Sequence, residues 1–267
     1  MKYKDNIIYQ LVRKLYFGIK TAPFRIKKYI DTRSIKRFKN ICKGETCFVI
    51  GNGPSMRVED LDKIHHLNIK SFACNKIFLI FNETKWRPNY FLASDRKIIS
   101  ENSFENSGLE TCELFFPRKY KGIVKKANYY ELISHNWLEE GNFSLDAYKG
   151  IYQCETIIAE ALQLAYYMGF SKVYIIGVDF SYNMASVNKE KQTFVSGGNN
   201  YFIKGYEKKG EELNLGNEKS NILGFEAALN AFNKTGREIY NATRGGKLEV
   251  FERRNLDEVF KEIEAMQ

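Results

Sequence analysis

The sequence predicts an α/β fold: a Rossmann-like, mostly parallel sheet flanked by helices, with a basic amphipathic N-terminal arm and a lid-like insertion. Three observations carry this. Thr46-Cys47-Phe48-Val49-Ile50, a short run of β-formers, leads at once into Gly51-Asn52-Gly53-Pro54-Ser55 and then a polar, helix-compatible stretch. Other runs, such as Lys172 to Gly177 (KVYIIG), are almost continuously apolar, which marks strands buried on both faces of a helix-covered parallel sheet. Several runs end in a polar residue, where open α/β sheets place their ligands.

The elements follow in order. In residues 1–40, Ile8, Leu11, Val12, Leu15, Tyr16 and Ile19 recur at helical spacing, flanked by Lys4, Arg13, Lys14 and Lys20. Pro23 ends that helix or starts a second basic segment. The first strand and its glycine turn give way to a helix reaching about His66. Ile69 to Asn75 reads as a second strand, Tyr90 to Asp95 as a third and Glu113 to Phe116 as a fourth. Thr156 to Met168 is a strongly apolar helix capped by Gly169, and Lys172 to Gly177 is the next strand, running into Val178-Asp179-Phe180. Residues 183–220, rich in Asn, Lys, Gly and Ser, read as a long loop or lid. Leu223 to Phe232 is a helix with Gly236 near its end, Glu238 to Asn241 a last strand, and Asn255 to Met266 a terminal helix. The chain thus divides into an arm, 1–40, and one Rossmann-like domain, 41–267, with the insertion at about 183–220.

Composition narrows the function classes. The chain has 267 residues, 44% hydrophobic and 27% charged, a globular balance. Five cysteines, an odd number without a CxxC pair, argue against a zinc site or disulfide framework and for reduced thiols in a cytoplasm. The net charge of +9 is segregated: residues 1–40 hold 12 Lys/Arg against 2 Asp/Glu, and the remainder holds 29 against 30. A near-neutral core excludes a nucleic-acid-binding surface there. The basic arm suits an anionic membrane surface, or else packs on the body or on a second copy of the chain; nucleic acid is the remaining alternative for the arm. No apolar run approaches the roughly 18 residues that cross a bilayer, and basic residues interrupt any secretory signal.

Asn52, Asn75, Ser94, Asp95 and Asp179 converge at strand ends. A glycine turn opening a helix can bring backbone N–H groups to a phosphate, although GNGPS has neither the GxGxxG spacing nor the lysine of a P-loop. The Asp60-Leu61-Asp62 triplet reads as an exposed helix face, because positions i and i+2 do not share one metal.

CFVIGNGPS (47–55), FACN (72–75), YFLASD (90–95), ETIIAEALQLAYYMGFSKVYIIGVDFSY (155–182), NYFIKGY (200–206) and IYNATRGGKLEVF (239–251) resemble the 6-hydroxymethylpterin pyrophosphokinase-like family, which includes bacterial proteins encoded with polysaccharide and flagellin-glycosylation genes. The core also resembles bacterial CMP-sialic-acid sialyltransferases, a GT-A variant fold. The resemblance covers about residues 44–252. It implies a glycosyltransferase with a nucleotide-activated donor, inverting if CMP-linked, acting on a glycan or lipid-linked acceptor at the cytoplasmic face of the membrane. It implies that Gly51, Asn52, Gly53 and Ser55 cradle phosphate, that Asn75 holds ribose or phosphate, that Ser94 or Asp95 reaches the nucleoside, and that Thr156 lies by the donor sugar. Tyr182, Tyr201, Tyr206 and Asn241 lie near such a site. No cofactor is required in that reading, and the relatives are often oligomeric. A pyrophosphokinase reading implies ATP and Mg²⁺ instead, and a third reading is a non-catalytic subunit of a polysaccharide assembly.

The sequence departs from the sialyltransferases at the base. Their mobile segment carries a histidine; here it reads Asn200-Tyr201-Phe202. A phenol with a pKa near 10 is a poor base at neutral pH. The role is open between a carboxylate (Asp95, Glu155 or Asp179), His135, and no conventional base, with Tyr201 in the segment where the histidine would stand.

Overall fold

The computed structural model describes residues 10, 27–28, 30–101, 104, 107–134 and 141–267. The expected arm helix (Gln10 apart) and His135 lie outside those residues.

The chain runs through β1 (Thr46–Ile50), α1 (Val58–His66), β2 (Lys70–Cys74), β3 (Tyr90–Leu92), α2 (Arg96–Glu101), β4 (Glu113–Pro117), β5 (Asn128–Tyr130), β6 (Leu132–Ile133), β7 (Ile151–Tyr152), α3 (Ile157–Met168), β8 (Lys172–Ile176), β9 (Met184–Asn188), β10 (Thr193–Ser196), β11 (Glu212–Asn214), α4 (Glu218–Asn233), β12 (Glu238–Asn241), β13 (Glu252–Arg253) and α5 (Leu256–Met266). Eight strands form one sheet in the order β13-β12-β8-β1-β2-β3-β4-β5, and each pairing in it is parallel. The fold is α/β and Rossmann-like, as expected. From β1 the chain builds outward through β2 to β5, then returns to the other side of β1 with β8. The switch point therefore lies between β1 and β8, and the loops leaving both strands meet there.

The near-continuous apolar runs have a direct cause. Along β1, Cys47 and Val49 face one core with Phe72, Val173, Ile175 and α3, while Phe48 and Ile50 face the other with Phe91, Tyr174, Ile176 and Phe260 of α5. Helix α3 is apolar nearly all round because β1 and β2 cover one side and α4 another. Its ends are those the sequence marks: Thr156 Oγ1 accepts from Ile158 N, and Gly169 closes it at φ +93°. At the basic end of residues 1–40, a 3₁₀ turn (Arg33–Phe38) packs Ile35 and Phe38 into the core, with Phe38 edge-on to Phe115 at 4.9 Å. Just before it, buried Asp31 pairs with Lys121 and Arg118.

The insertion is corrected. Residues expected as loop form a three-stranded antiparallel sheet, β9–β10–β11. All five residues of β9 are exposed, so no apolar alternation betrays it. Helix α4 starts at Glu218, five residues before the expected Leu223, because the Asn217 side chain caps Ser220 N. The short strands β5 and β13 have too few residues to show a period. No described helix is long and apolar enough to cross a membrane.

Candidate functional site

At the switch point the two loops interlock. Gly51 N donates to Ile176 O and Gly53 N to Gly177 O, both at 2.8 Å. A Cβ on Gly51 would lie 2.3 Å from Gly177 O, and one on Gly53 1.9 Å from Asp179 Oδ2. Ser55 donates to Asp179 Oδ2 from Oγ at 2.8 Å and from N at 3.5 Å. Burial pushes the Asp179 carboxyl up, against the hydrogen bonds from Ser55. The next residue, Phe180, stands at φ +54°, a rare conformation for a bulky side chain. These facts correct the expected phosphate cradle. The N–H groups of Gly51, Gly53 and Ser55 are spent inside the protein, and the glycines serve close packing of one loop on the other. Asp179 holds the turn; its Oδ2 is committed to Ser55.

Beside this lock lies a crevice over the ends of β1, β2 and β3. Asn52 is buried; its Nδ2 donates to Cys74 O at 3.1 Å and lies 3.5 Å from the Tyr206 hydroxyl. Asn75 sits at φ +59°, a conformation asparagine tolerates, and its N donates to Leu92 O. Its side chain also interacts with the Tyr206 phenol. Asn52 Oδ1 and Asn75 Oδ1 are both buried without a hydrogen-bond partner among the described residues. A buried acceptor left unpaired costs about 1–3 kcal/mol, so each is open to a donor, as is Asn221 Oδ1 in α4; Asn52 and Asn75 are the two that stand together at neighbouring strand ends.

The insertion supplies the facing wall. Phe202 N donates to Asn52 O, and the rings of Tyr201 and Tyr206 stack at 3.9 Å. Burial pushes both phenols up, so Tyr201 stays protonated at neutral pH and cannot serve as a base. Asn200, at the position of the missing histidine's segment, is buried and bonds to Glu207, Ser196 and Asn183. Lys76 Nζ donates to Tyr206 O and borders a groove of about 550 Å³ of mixed charge, where Lys97, Lys208 and Lys209 stand with Glu101, Glu207 and Glu211 and Lys97 pairs with Glu211 at 2.8 Å. At the third strand end, Ser94 Oγ donates to Glu160 Oε1 at 3.1 Å. Glu160 is 1% exposed on α3 and also accepts from the Tyr130 hydroxyl at 2.7 Å. Burial lifts its carboxyl to about 7, against the hydrogen bonds that favour its charged form.

Residues 24–185 match the family described as 6-hydroxymethylpterin diphosphokinase MptE-like. The chain belongs to that family. This MptE-like chain is also similar to a solved structure, the Maf glycosyltransferase from Magnetospirillum magneticum AMB-1, at 13% identity with a TM-score of 0.48. The similarity covers 86% of the MptE-like chain and 38% of the other. No curated protein sequence matches it.

The remaining expected residues separate clearly. Asp95 is spent on a helix start, its Oδ1 accepting from Ile98 N at the head of α2. Glu155 is exposed on the loop before α3, and Thr156 caps that helix. Tyr182 is 52% exposed with its ring against Phe194, and its phenol, pushed up by burial, is near enough to Tyr201 to push that phenol up as well. Asn241 is 1% exposed and fully used within the protein, donating to Leu248 O and accepting from Thr243 N. Asp60 is not on an exposed face: it is 4% exposed, accepting from Arg57 N and pairing with Arg244 at 2.6 Å. Among the described residues no group of three or more His, Cys, Asp or Glu side chains could hold a metal ion.

The residue that sequence reasoning missed in this MptE-like site is Glu160. Its signal was present: it is the one acidic residue inside the apolar run of α3, where a glutamate stays buried only with partners.

Proposed function

We propose that the chain is a glycosyltransferase that takes its sugar from a nucleotide-activated donor, with a CMP-linked acidic sugar as the donor class. The observation that carries this is the pair of unpartnered oxygens, Asn52 Oδ1 and Asn75 Oδ1, on adjacent strand ends beside the switch point. A carboxamide oxygen only accepts, so these atoms fit ribose or sugar hydroxyls and a base amine, not an ionised phosphate. The reaction inverts the anomeric centre, and most of the rate comes from positioning and from stabilising the departing nucleotide.

The acceptor is a surface glycan or lipid-linked precursor, built at the cytoplasmic membrane face. The excess of 12 basic over 2 acidic residues in 1–40 supports attachment there, and a homo-oligomer is part of this reading. The family's name favours one alternative, an ATP- and Mg²⁺-dependent diphosphokinase acting on a pterin.

Thermal unfolding with CMP, CDP, UDP, GDP and ATP, each with and without Mg²⁺, separates the readings. A ligand of the native state raises Tm in proportion to ln(1 + [L]/Kd). A metal-independent shift with CMP or CDP is expected. A shift confined to ATP with Mg²⁺ transfers the case to the diphosphokinase, and no shift at all leaves a non-catalytic subunit.

A further inference from the structure

The base that the insertion lacks has a substitute behind the third strand end. Glu160 is buried, and no cation is in hydrogen-bonding contact with it among the described residues. The groups around it are Tyr130 of β5, Lys119 from the turn after β4, Cys74 of β2 and Cys154 ahead of α3. Burial pushes the thiols of Cys74 and Cys154 up, so neither is charged at neutral pH. A carboxyl placed there without a counter-charge is costly to ionise. Costs of this kind gather where titration has a use. Ser94 connects this carboxyl to the end of β3. It is half-buried at the end of β3, two residues beyond Leu92, whose carbonyl accepts from Asn75 N at 3.0 Å.

We infer that Ser94 and Glu160 are the proton-accepting pair of the crevice, acting on a hydroxyl nucleophile. This rests on the glycosyltransferase reading. The acceptor's hydroxyl oxygen bonds to the donor's anomeric carbon as the bond from that carbon to the nucleotide phosphate oxygen breaks. The phosphate leaves with the electron pair. The hydroxyl proton passes to Ser94 Oγ, and the Ser94 proton passes to Glu160 Oε1, from which it later returns to solvent. Ser94 is the catalytic residue; Glu160 is a positioning residue that orients the serine and holds the proton. Because Glu160 titrates near 7, the ionised, proton-accepting form grows through neutral pH, and the rate rises with it.

The test uses the full chain with ¹³C-carboxyl-labelled glutamate. The resonance absent from Glu160→Gln is expected to titrate near 7 and to move upward in Ser94→Ala, which removes a donor to the charged form. With the donor whose nucleotide raises Tm, Glu160→Gln and Ser94→Ala are each expected to lose roughly 10²-fold or more in transfer rate, with nucleotide affinity intact. Glu160→Gln also loses the rise of rate with pH. A Glu160 resonance titrating in the ordinary carboxylate range overturns the inference, as does a Glu160→Gln enzyme that keeps its rate and pH dependence. If Glu160→Gln does not fold, Ser94→Ala carries the kinetic arm, and an unchanged rate there is equally fatal. A nucleotide-dependent Tm shift with unaltered variants sinks the pair alone. No shift with any nucleotide sinks the glycosyltransferase reading and takes this step with it.

Discussion

Two clefts open at the carboxyl edge of one parallel sheet, and they treat their polar groups in opposite ways. Over β1 and β2, Asn52 and Asn75 keep buried oxygens without a partner among the described residues. Beyond β12 and β13 a cleft of about 360 Å³ is lined by Arg244, Arg253 and Arg254, and each has an internal partner. Arg244 pairs with Asp60 and Asp257, Arg253 with Glu249 and the carbonyls of Gly245 and Gly246, and Arg254 with Glu252. Three arginines look more like a phosphate site than two asparagines do. The partner accounting reverses that impression. Satisfied arginines tie α1, α5 and the last strands together, whereas unsatisfied acceptors wait for a ligand. A place at a strand end is shared by both clefts and does not by itself distinguish a site.

The largest effect that could break this contrast is at Arg244. Arg244→Ala leaves Asp60 buried without its cation and should cost about 3 kcal/mol of stability by denaturant unfolding. Nucleotide affinity should not change; a matching loss of affinity would move the site to the arginine cleft.

Glu160→Gln sharpens the contrast through pH. The Glu160 carboxyl has its ordinary value near 4.5 when unfolded and about 7 when folded. A raised folded value means stability present below about 4.5 and lost as pH rises through 7. The wild type should therefore weaken against Glu160→Gln by up to about 3 kcal/mol between pH 4.5 and pH 8, read from unfolding at a series of pH values. Parallel curves for the two proteins would remove the buried titration.

Asn52→Ala and Asn75→Gly come next, the glycine keeping the left-handed backbone at that position. Each should weaken nucleotide binding by roughly 10-fold, about 1.4 kcal/mol, by titration calorimetry, with a modest fall in Tm, because the bonds to Cys74 O and Tyr206 are lost together with the orphan oxygen. Unchanged affinity in both would abolish the difference between the clefts. The smallest effect is at Thr156. If it only caps α3, Thr156→Ala costs about 1 kcal/mol of stability and leaves affinity alone. A clear loss of affinity would bring it into the crevice.

Much of the frame was legible in the residues. β1, β2, β4, β8, α3 and α5 lie within a few residues of their expected places, because runs covered on both faces, caps at Thr156 and Asn255, and Gly169 are local signals. The insertion was not legible, since β9 has no buried face to impose an alternation. The site was legible in part. Asn52 and Asn75 stood out as polar strand ends. Asn241 looked the same in sequence, yet it is consumed by Leu248 and Thr243. Gly51, Gly53 and Ser55 read as a phosphate turn; only the approach of Gly177 and Asp179 reveals that they pack a loop.

The sequence by itself determined the sheet, its helices and the strand-end residues, because burial on both faces and helix capping act over a few neighbouring positions. The tertiary structure alone decided which of those polar residues are free. Hydrogen-bond satisfaction depends on partners as distant in the chain as Asp179 from Ser55, Tyr206 from Asn52 and Glu160 from Ser94, and no local pattern encodes such meetings.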